Sequence, residues 1–508
     1  MDSERLQAFV KDPNAVLLVH TAGAANKVIE YKPAACKIIA TSPDAFFVLD
    51  DNSIEYEPAE KFGLDIPRAL ERVRNELRPT KIGYFSDSIP GPRRNVFAEL
   101  LSKETSGVES FQGVTEPPPA IEDSRRIRSL LKSRPRLYYL LRIRRSFGVG
   151  AALKLLFYQL SSKPILLLNS GYCWDYVHEA LHKKGYAIWG QINLGMPGEG
   201  KLGDALRWLE KKKPRAVIYS INPTKESREF IKAARSKNIP VIGWQHGDVN
   251  YTPGEQIARD DLEFADLFLN WGTGSQKNLG AAAMRYNLSA KQVAVGSSYL
   301  DNLKKTLVLP SHRPRDAGSL RVTYATSMYY FADRSDIHGM EWSDFRLYEG
   351  QREIIRRLAG IVGEKVVKLH PSLRYRSQEL VKYCESFAKK RVSIVSEPLI
   401  RAAEVFANAD VIIIDVLSTT LLEALLFDVP VFCLAGQPAV LEDAMRMLEK
   451  RAVCSRDPSV LMSKVEEFVR TGKYGADIGN HEFLEAYGTQ PGFMASGRAA
   501  EEVHRLVG

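Results

Sequence analysis

Short apolar runs alternate along the chain with longer stretches in which apolar and polar residues recur at helical spacing. Most runs are rich in β-branched residues and continuous, which is typical of strands buried on both faces of a parallel sheet. The longer stretches have the periodicity of amphipathic helices. The predicted strands include 15–20, 165–168, 216–219, 241–243, 267–269, 322–325, 366–369, 411–414 and 431–434, and the predicted helices include 201–212, 225–236, 377–389 and 419–427.

This repeated strand–helix order predicts an α/β fold of the doubly wound type. A segment rich in proline, glycine and charge, PSHRPRDAG at 310–318, precedes a new strand and marks the main break. We therefore predict two Rossmann-like domains facing a cleft, 1–310 with a basic helical insertion near 124–160, and 318–485. Residues 486–508 are predicted to form a C-terminal helix that packs back towards the first domain. Ligands of such sheets bind at the carboxyl ends of the strands.

Composition excludes several classes of protein. The 508 residues are 45% hydrophobic and 26% charged, which is ordinary for a soluble globular chain. The five cysteines form no CxxC pair, so we expect neither a disulfide framework nor a zinc cluster, and a reducing compartment fits best. The first residues lack the apolar core of a signal peptide, and no apolar run reaches about 18 residues. We therefore expect a cytoplasmic protein without a membrane span.

The formal net charge of +9 permits an anionic partner without choosing one. The strongest charge pattern runs from 124 to 174, a stretch without Asp or Glu, in which Arg142, Arg144, Arg145 and further basic residues are interleaved with leucines and aromatics. This composition suits a helix on an anionic membrane surface. It equally suits a solvated insertion whose arginines pair with acids elsewhere. Binding to a nucleic-acid backbone is a third interpretation, which the composition favours less.

The stretch VVKLHPS, 366–372, carries polar residues that a buried strand does not need. Lys368 and His370 share one face of the strand because residues two apart point the same way. Pro371 ends strand pairing, which places His370 and the following Ser372 at the carboxyl end. Imidazole and ammonium groups there can donate hydrogen bonds to a phosphate. The alternative is a histidine that caps a loop.

A second polar cluster follows the predicted strand 411–414. Ser418 or Thr419 can cap the next helix, and the hydroxyls of Ser418, Thr419 and Thr420 together with free backbone N–H groups can hold an anion. Glu423, one turn inside that helix, is a candidate to accept hydrogen bonds from ribose hydroxyls. A plain helix cap is the alternative.

Two shorter signals accompany these. Thr326 and Ser327 follow the first strand of the second domain and either contact a donor phosphate or make a turn. His178 and His182 have the spacing of a zinc pair, but the HExxH motif is absent and we expect no metal.

The stretch PVIGWQHGDVN, 240–250, places a histidine at the end of a strand in the first domain. Gly247 allows a tight turn after His246. His246 would face the cleft from the side opposite His370, where a neutral imidazole can act as a general base. Asp248 is positioned to orient it. A structural histidine remains the alternative.

The motifs GWQHGDVN, VAVGSSYLD, VVKLHPS, ADVIIIDVLSTTLLEALLFDVPVF and FMASGRAAEEV resemble, in this order, those of GT-B fold glycosyltransferases. The resemblance covers about 215–507 and is to bacterial surface-polymer transferases, the CDP-glycerol glycerophosphotransferase-like enzymes and the capsule transferases that use CMP-sugars. It implies that His246 is the base on the acceptor hydroxyl. It also implies that His370, Ser418 and Thr419 bind the donor phosphate.

Together these features predict a metal-independent, inverting glycosyltransferase of surface polysaccharide or glycolipid. Its donor would be a sugar or polyol phosphate linked to CMP, CDP or UDP and bound by the second domain, with no further cofactor. Its acceptor would be a glycan or lipid-linked glycan met at the inner face of the cell membrane.

Two alternatives remain open. A nucleotide-sugar 2-epimerase shares this two-domain plan but works with extra carboxylates, and the sequence offers no convincing set. A non-catalytic, basic nucleic-acid-binding protein would explain the charge but not the two strand-end histidines, and no RNA-binding motif is present. We do not expect nucleic acid as a partner.

Overall fold

The structure is a computed structural model of the full chain. The residues that it describes are 3–19, 22–30, 36–40, 42–58, 72–73, 75–77, 79, 81–86, 108–112, 135–168, 172–192, 200–220, 225–247, 261–307, 319–329, 344–371, 378–397, 400–436 and 440–508. They form three units, each built on one parallel sheet.

The first unit is a five-stranded sheet with helices packed against it. Its elements are α1 (Ser3–Val10), β1 (Ala15–Val19), α2 (Ala22–Glu30), β2 (Lys37–Ala40), α3 (Pro43–Asp51), β3 (Glu57–Pro58), β4 (Lys81–Ser86) and β5 (Val108–Gln112). The strand order is β3-β2-β1-β4-β5. The central strand β1 is buried along its whole length, as its continuous apolar sequence requires.

The second unit is a six-stranded sheet in the order β11-β10-β9-β8-β6-β7. Its elements are α4 (Pro135–Phe147), α5 (Val149–Ser161), β6 (Lys163–Leu168), a 3₁₀ turn (Tyr172–Tyr176), α6 (His178–Lys183), β7 (Tyr186–Ile192), α7 (Gly200–Lys212), β8 (Ala216–Tyr219), α8 (Lys225–Ser236), β9 (Val241–Trp244), β10 (Leu267–Asn270), α9 (Thr273–Arg285), β11 (Lys291–Ala294) and α10 (Ser298–Thr306). Helix α4 and helix α5 are joined through Gly148 and contact each other, and this helical hairpin precedes the first strand of the sheet.

The third unit is a six-stranded sheet in the order β14-β13-β12-β15-β16-β17. Its elements are β12 (Arg321–Ala325), α11 (Asp344–Leu358), β13 (Glu364–Lys368), α12 (Gln378–Glu385), a 3₁₀ turn (Ala388–Lys390), β14 (Val392–Val395), α13 (Ala402–Phe406), β15 (Val411–Ile414), α14 (Thr419–Ala424), β16 (Val431–Leu434), α15 (Glu442–Arg451), β17 (Val453–Ser455), α16 (Pro458–Thr471), α17 (Glu482–Tyr487) and α18 (Ala495–Val507). The order reverses between β12 and β15, and such a switch point is where open α/β sheets bind ligands.

The predicted α/β class and the parallel sheets are confirmed. Predicted strands 216–219, 411–414 and 431–434 coincide with β8, β15 and β16. Sequence analysis placed 1–310 in one domain, whereas two separate sheets form within that range. The predicted break at 310–318 lies outside the described residues, and the domain limits stay a prediction. In the part of the chain that the structure describes, no helix combines the length and hydrophobicity needed to cross a bilayer.

The first unit packs on the third unit rather than standing apart. Helix α3 lies against α11 and α12. Phe47 meets Tyr348 edge to face with ring centroids 4.6 Å apart. Asp50 accepts hydrogen bonds from the Tyr348 hydroxyl and from the Arg352 guanidinium, the latter at 2.6 Å. This combination of buried aromatic rings and an ion pair joins the two units through one continuous core.

The C-terminal segment returns to the second unit. Helix α17 packs on α9, and α18 packs near α6 and α10. Glu502 pairs with Lys291 at 3.2 Å, and the Arg215 guanidinium donates to the Val507 carbonyl at 2.9 Å. The chain therefore crosses from the third unit back to the second, and its C-terminal helices join the two sheets.

Candidate functional site

The turn that follows β9 carries the first candidate residue, His246. Gln245 is buried, and its side chain fixes the turn at both ends. Its amide N–H donates to the Gly247 carbonyl at 2.7 Å, and its amide oxygen accepts from the Trp271 backbone N–H at 2.7 Å. Trp271 directly follows β10, so the turn is anchored to the neighbouring strand. Gln245 stands in the quoted motif, but sequence analysis assigned it no role.

Gly247 brings this turn into contact with the third unit. Its φ of +73° lies in the left-handed region that favours glycine. A Cβ atom at this position would lie 2.7 Å from the Thr419 hydroxyl oxygen. The His246–Gly247 turn of the second sheet therefore packs directly against the start of α14 in the third. Sequence analysis placed these residues on opposite sides of a cleft, and the structure brings them together.

His246 is partly buried, and its Nδ1 has no solvent contact. Burial lowers the pKa of His246 to about 4, because a cation loses hydration there. The imidazole is therefore neutral at neutral pH, which is the state that can accept a proton. The proposed partner Asp248 lies outside the described residues.

On the third unit, hydrogen bonds join the ends of β12 and β13, two neighbouring strands beside the switch point. The Thr326 hydroxyl accepts from the His370 backbone N–H at 3.2 Å, and the Thr326 backbone N–H donates to the Lys368 carbonyl at 3.0 Å. These bonds connect the segments after β12 and β13 and place His370, which is partly exposed, beside Thr326. Ser372 lies outside the described residues.

Asp415, directly after β15, is the centre of this arrangement. It is buried and accepts hydrogen bonds from the Tyr324 hydroxyl at 2.8 Å, the Ser327 backbone N–H at 2.8 Å and the Gln351 amide at 2.6 Å. Burial raises the pKa of Asp415 to about 6, although these donors act in the opposite direction. No role was predicted for it from the sequence. A carboxylate within an apolar run indicates a buried acid that must accept hydrogen bonds from the protein, and this pattern could have identified Asp415.

The three hydroxyl residues begin α14 as predicted. The Ser418 hydroxyl accepts from the Thr420 backbone N–H at 3.3 Å, which is the N-cap interaction offered as the plain alternative. Ser418, Thr419 and Thr420 are all partly exposed. The cap uses the Ser418 oxygen, and the hydroxyl of Thr419 lies at the contact with Gly247.

Two candidates lie elsewhere. Lys368 is buried, and its ammonium donates to the backbone carbonyls of Leu369 at 2.9 Å and Glu397 at 3.4 Å. Glu423 is buried, and its two carboxylate oxygens accept from the Tyr299 hydroxyl at 2.6 Å and the Ala403 backbone N–H at 3.2 Å. Burial raises the pKa of Glu423. The Lys368 ammonium and the Glu423 carboxylate thus both form hydrogen bonds within the protein, so the structure gives no sign that either contacts a ligand.

The remaining candidates are the basic residues of α4. Arg144 and Arg145 are exposed near the end of that helix, and the side chain of Arg142 is outside the described residues. His178 and His182, the zinc-spaced pair, instead contact the Tyr139 hydroxyl at 3.1 Å and the Ser162 hydroxyl at 2.8 Å. Within the described ranges, no three His, Cys, Asp or Glu side chains form a group that could hold a metal ion.

Two Rossmann-like sheets that face each other across a site, with a C-terminal helix returning to the first of them, define the GT-B fold. Solved structures of similar fold include UDP-GlcNAc 2-epimerase from Methanocaldococcus jannaschii, at 14% identity and a TM-score of 0.45, covering 68% of this chain and 99% of that chain. MurG from Acinetobacter baumannii shows 13% identity and a TM-score of 0.40, covering 68% of this chain and 99% of that chain. A UDP-forming trehalose-phosphate synthase from Burkholderia xenovorans shows 11% identity and a TM-score of 0.41, covering 68% of this chain and 99% of that chain.

Identities of 11–14% and TM-scores below 0.5 do not indicate what this chain does. No protein-family model matches the chain, and no curated protein sequence matches it either. The chemistry must therefore be argued from the residues at the site.

Proposed function

We propose that the protein is a glycosyltransferase that transfers a sugar from a nucleotide-linked donor to an acceptor hydroxyl without a metal ion. The contact between Gly247 and Thr419 carries this proposal. It brings the turn that carries the neutral imidazole of His246 against the start of the helix that carries the threonine hydroxyls. A proton acceptor on one side and hydrogen-bond donors on the other are what a displacement at a sugar phosphate requires.

The donor phosphate lies at the switch point of the third sheet. The hydroxyls of Thr419 and Thr420 and the imidazole of His370 donate hydrogen bonds to it. Asp415 fixes the surrounding segments through Tyr324, Gln351 and the Ser327 backbone, so these donors need not reorganise as charge grows on the leaving oxygen. Lys368 and Glu423 contribute to holding the segments rather than to donor contact.

The acceptor hydroxyl is deprotonated by His246. The acceptor oxygen forms a bond to the anomeric carbon as the bond from that carbon to the donor phosphate breaks. The electron pair of the broken bond goes to the phosphate oxygen, and the acceptor proton goes to an imidazole nitrogen of His246. One displacement of this kind inverts the anomeric configuration.

The acceptor class follows from the motif resemblance and the basic hairpin. We propose a surface polysaccharide or a lipid-linked glycan as acceptor, with a CMP-, CDP- or UDP-linked donor. The reaction would take place at the inner face of the cell membrane, where such an acceptor is held.

Melting of the protein with CMP, CDP, UDP, GDP and ADP tests the donor site, because a ligand that binds the folded state raises Tm. At least one nucleotide should raise Tm, and His370→Ala and Thr419→Ala should each reduce that shift. His481→Ala, an exposed histidine of the third unit, is the matched control and should keep it. If no nucleotide changes Tm, the proposal fails.

The reaction is tested by following a donor with and without a glycan acceptor. His246→Ala should lower transfer by about 10²- to 10⁴-fold with the nucleotide shift retained. Turnover of UDP-sugar without any acceptor would instead indicate the 2-epimerase.

A further inference from the structure

We propose that the hairpin of α4 and α5 binds a bilayer containing anionic lipid, with one face of α5 lying among the acyl chains. The proposal deepens the proposed function, which supplies a lipid-linked acceptor as the reason for such docking. The residues of this surface lie outside the candidate active site.

Helix α5 presents a row of large apolar side chains to solvent. Val149 is 55% exposed, Leu153 61%, Phe157 61% and Leu160 74%. At 3.6 residues per turn these four positions fall within an arc of about 80°. Contiguous exposed apolar surface of this kind marks an interaction site, whereas scattered apolar residues would not.

The opposite face of α5 fixes this orientation. Leu155 and Gln159 are buried, and the Gln159 amide donates to the Ile188 carbonyl of β7 at 2.8 Å. The helix is therefore held on the second sheet by its inner face, and the apolar row points outward because of that packing.

Basic side chains accompany the apolar row. Arg144 and Arg145 end α4 next to the bend, and Lys154 lies beside Leu153 on α5, all three exposed. No Asp or Glu occurs from 124 to 174. Lys154 helps to lower the pKa of Glu179. The Glu179 carboxylate already forms an ion pair with Lys183, with Oε1 and Nζ 3.1 Å apart. The surface thus has a basic rim around apolar side chains, which matches phosphate headgroups above acyl chains.

The geometry of the hairpin fits a helix lying in the plane of the interface. Gly148, with φ +87°, forms the bend between the two helices. Each helix has 13 residues, about 20 Å of rise, which is too short for the hydrocarbon core of about 30 Å. A second copy of the chain is a poorer occupant, because a two-fold contact through this face would bring the basic side chains Arg144, Arg145 and Lys154 of both copies into one interface.

Flotation of the full chain with vesicles tests the proposal. Vesicles of equal parts phosphatidylglycerol and phosphatidylcholine should bind it, pure phosphatidylcholine should bind it much less, and added salt should weaken binding. The double variant Leu153→Glu with Phe157→Glu should reduce the bound fraction at least tenfold. Val362→Glu, a change at a 63% exposed apolar residue elsewhere, is the control and should bind normally.

The basic rim is tested separately with Arg144→Ser plus Arg145→Ser, which should lose most of the salt-sensitive binding. Arg456→Ser plus Arg470→Ser, exposed arginines of the third unit, is the charge-matched control. Binding of the two α5 and α4 variants at the wild-type level would overturn the proposal. The proposal would also be overturned if these variants changed a dimeric protein into a monomer while vesicle binding stayed unchanged, because the face would then join two copies of the chain. The nucleotide-dependent Tm shift of each variant reports separately on the proposed function.

Discussion

The hydroxyl of Tyr299 donates a 2.6 Å hydrogen bond to the carboxylate of Glu423, and this bond joins the second unit to the third. Tyr299 lies on α10 of the second unit, and Glu423 lies on α14, the helix that begins with the site hydroxyls. Lys304 of α10 also donates to the Leu426 carbonyl at 3.2 Å. The position of α14 relative to the His246–Gly247 turn therefore depends on α10.

Tyr299→Phe should destabilise the protein by about 1–3 kcal/mol, because the buried Glu423 carboxylate loses one of its two donors. Urea unfolding measures the change. Adding Glu423→Gln to Tyr299→Phe should cost less than the two single changes together, since the two residues are coupled. Tyr186→Phe removes a 3.2 Å contact with His504 that is partly buried, and it should have the smaller effect. Equal losses in the two tyrosine variants would contradict the role of this bond.

Gly247→Ala should destabilise the folded state by about 1–2 kcal/mol from its positive φ alone, and further from the approach to Thr419. Combining it with Thr419→Ala removes the second contribution but not the first, so the double variant should be more stable than the single changes predict. Gly280→Ala is the control, because a Cβ there meets nothing within 4 Å and alanine favours the helix. If Gly247→Ala left the free energy of unfolding unchanged, the turn would not pack closely against α14.

Asp415→Ala should cost about 2–4 kcal/mol, because the Tyr324 hydroxyl, the Gln351 amide and the Ser327 N–H lose their acceptor together. The remaining folded protein should also bind the nucleotide more weakly, since the segments around the donor site relax. Asp410 begins the same strand at its other end, where it accepts from the Arg321 backbone N–H at 2.7 Å. Asp410→Ala should destabilise the fold yet leave nucleotide affinity unchanged. Calorimetric titration would separate the two outcomes.

Low pH should destabilise the protein through His246. The folded pKa of about 4 lies below the ordinary value of 6.5, so the unfolded chain binds the proton more tightly. This contribution to stability is present above pH 6.5 and is lost as the pH falls towards 4. His246→Gln should remove up to about 3 kcal/mol of that loss. Unfolding at pH 7, 5 and 4 measures it, with His481→Gln as the exposed control. Parallel pH curves for wild type and His246→Gln would contradict the buried, neutral imidazole.

Much of the local structure was predictable from the sequence. The limits of β8, β15 and β16, the helix 225–236 and the cap at Ser418 follow from continuous apolar runs, helical periodicity and a hydroxyl before a helix. The position of His246 and His370 just after strands also follows, because both strands end within a few residues of a glycine or a proline. These features depend on neighbours in the chain, so a single sequence contains them.

The contacts between units were decided by the tertiary structure. That Gly247 contacts Thr419 and that Tyr299 binds Glu423 both depend on how separate sheets pack. The docking of α3 through Asp50 and Arg352, 302 residues apart in the chain, is of the same kind. Apolar periodicity states which face of an element is buried but not which element covers it. The sequence alone therefore determined the strands, helices and chemical groups of this protein, and the packing of its three sheets decided which of those groups meet.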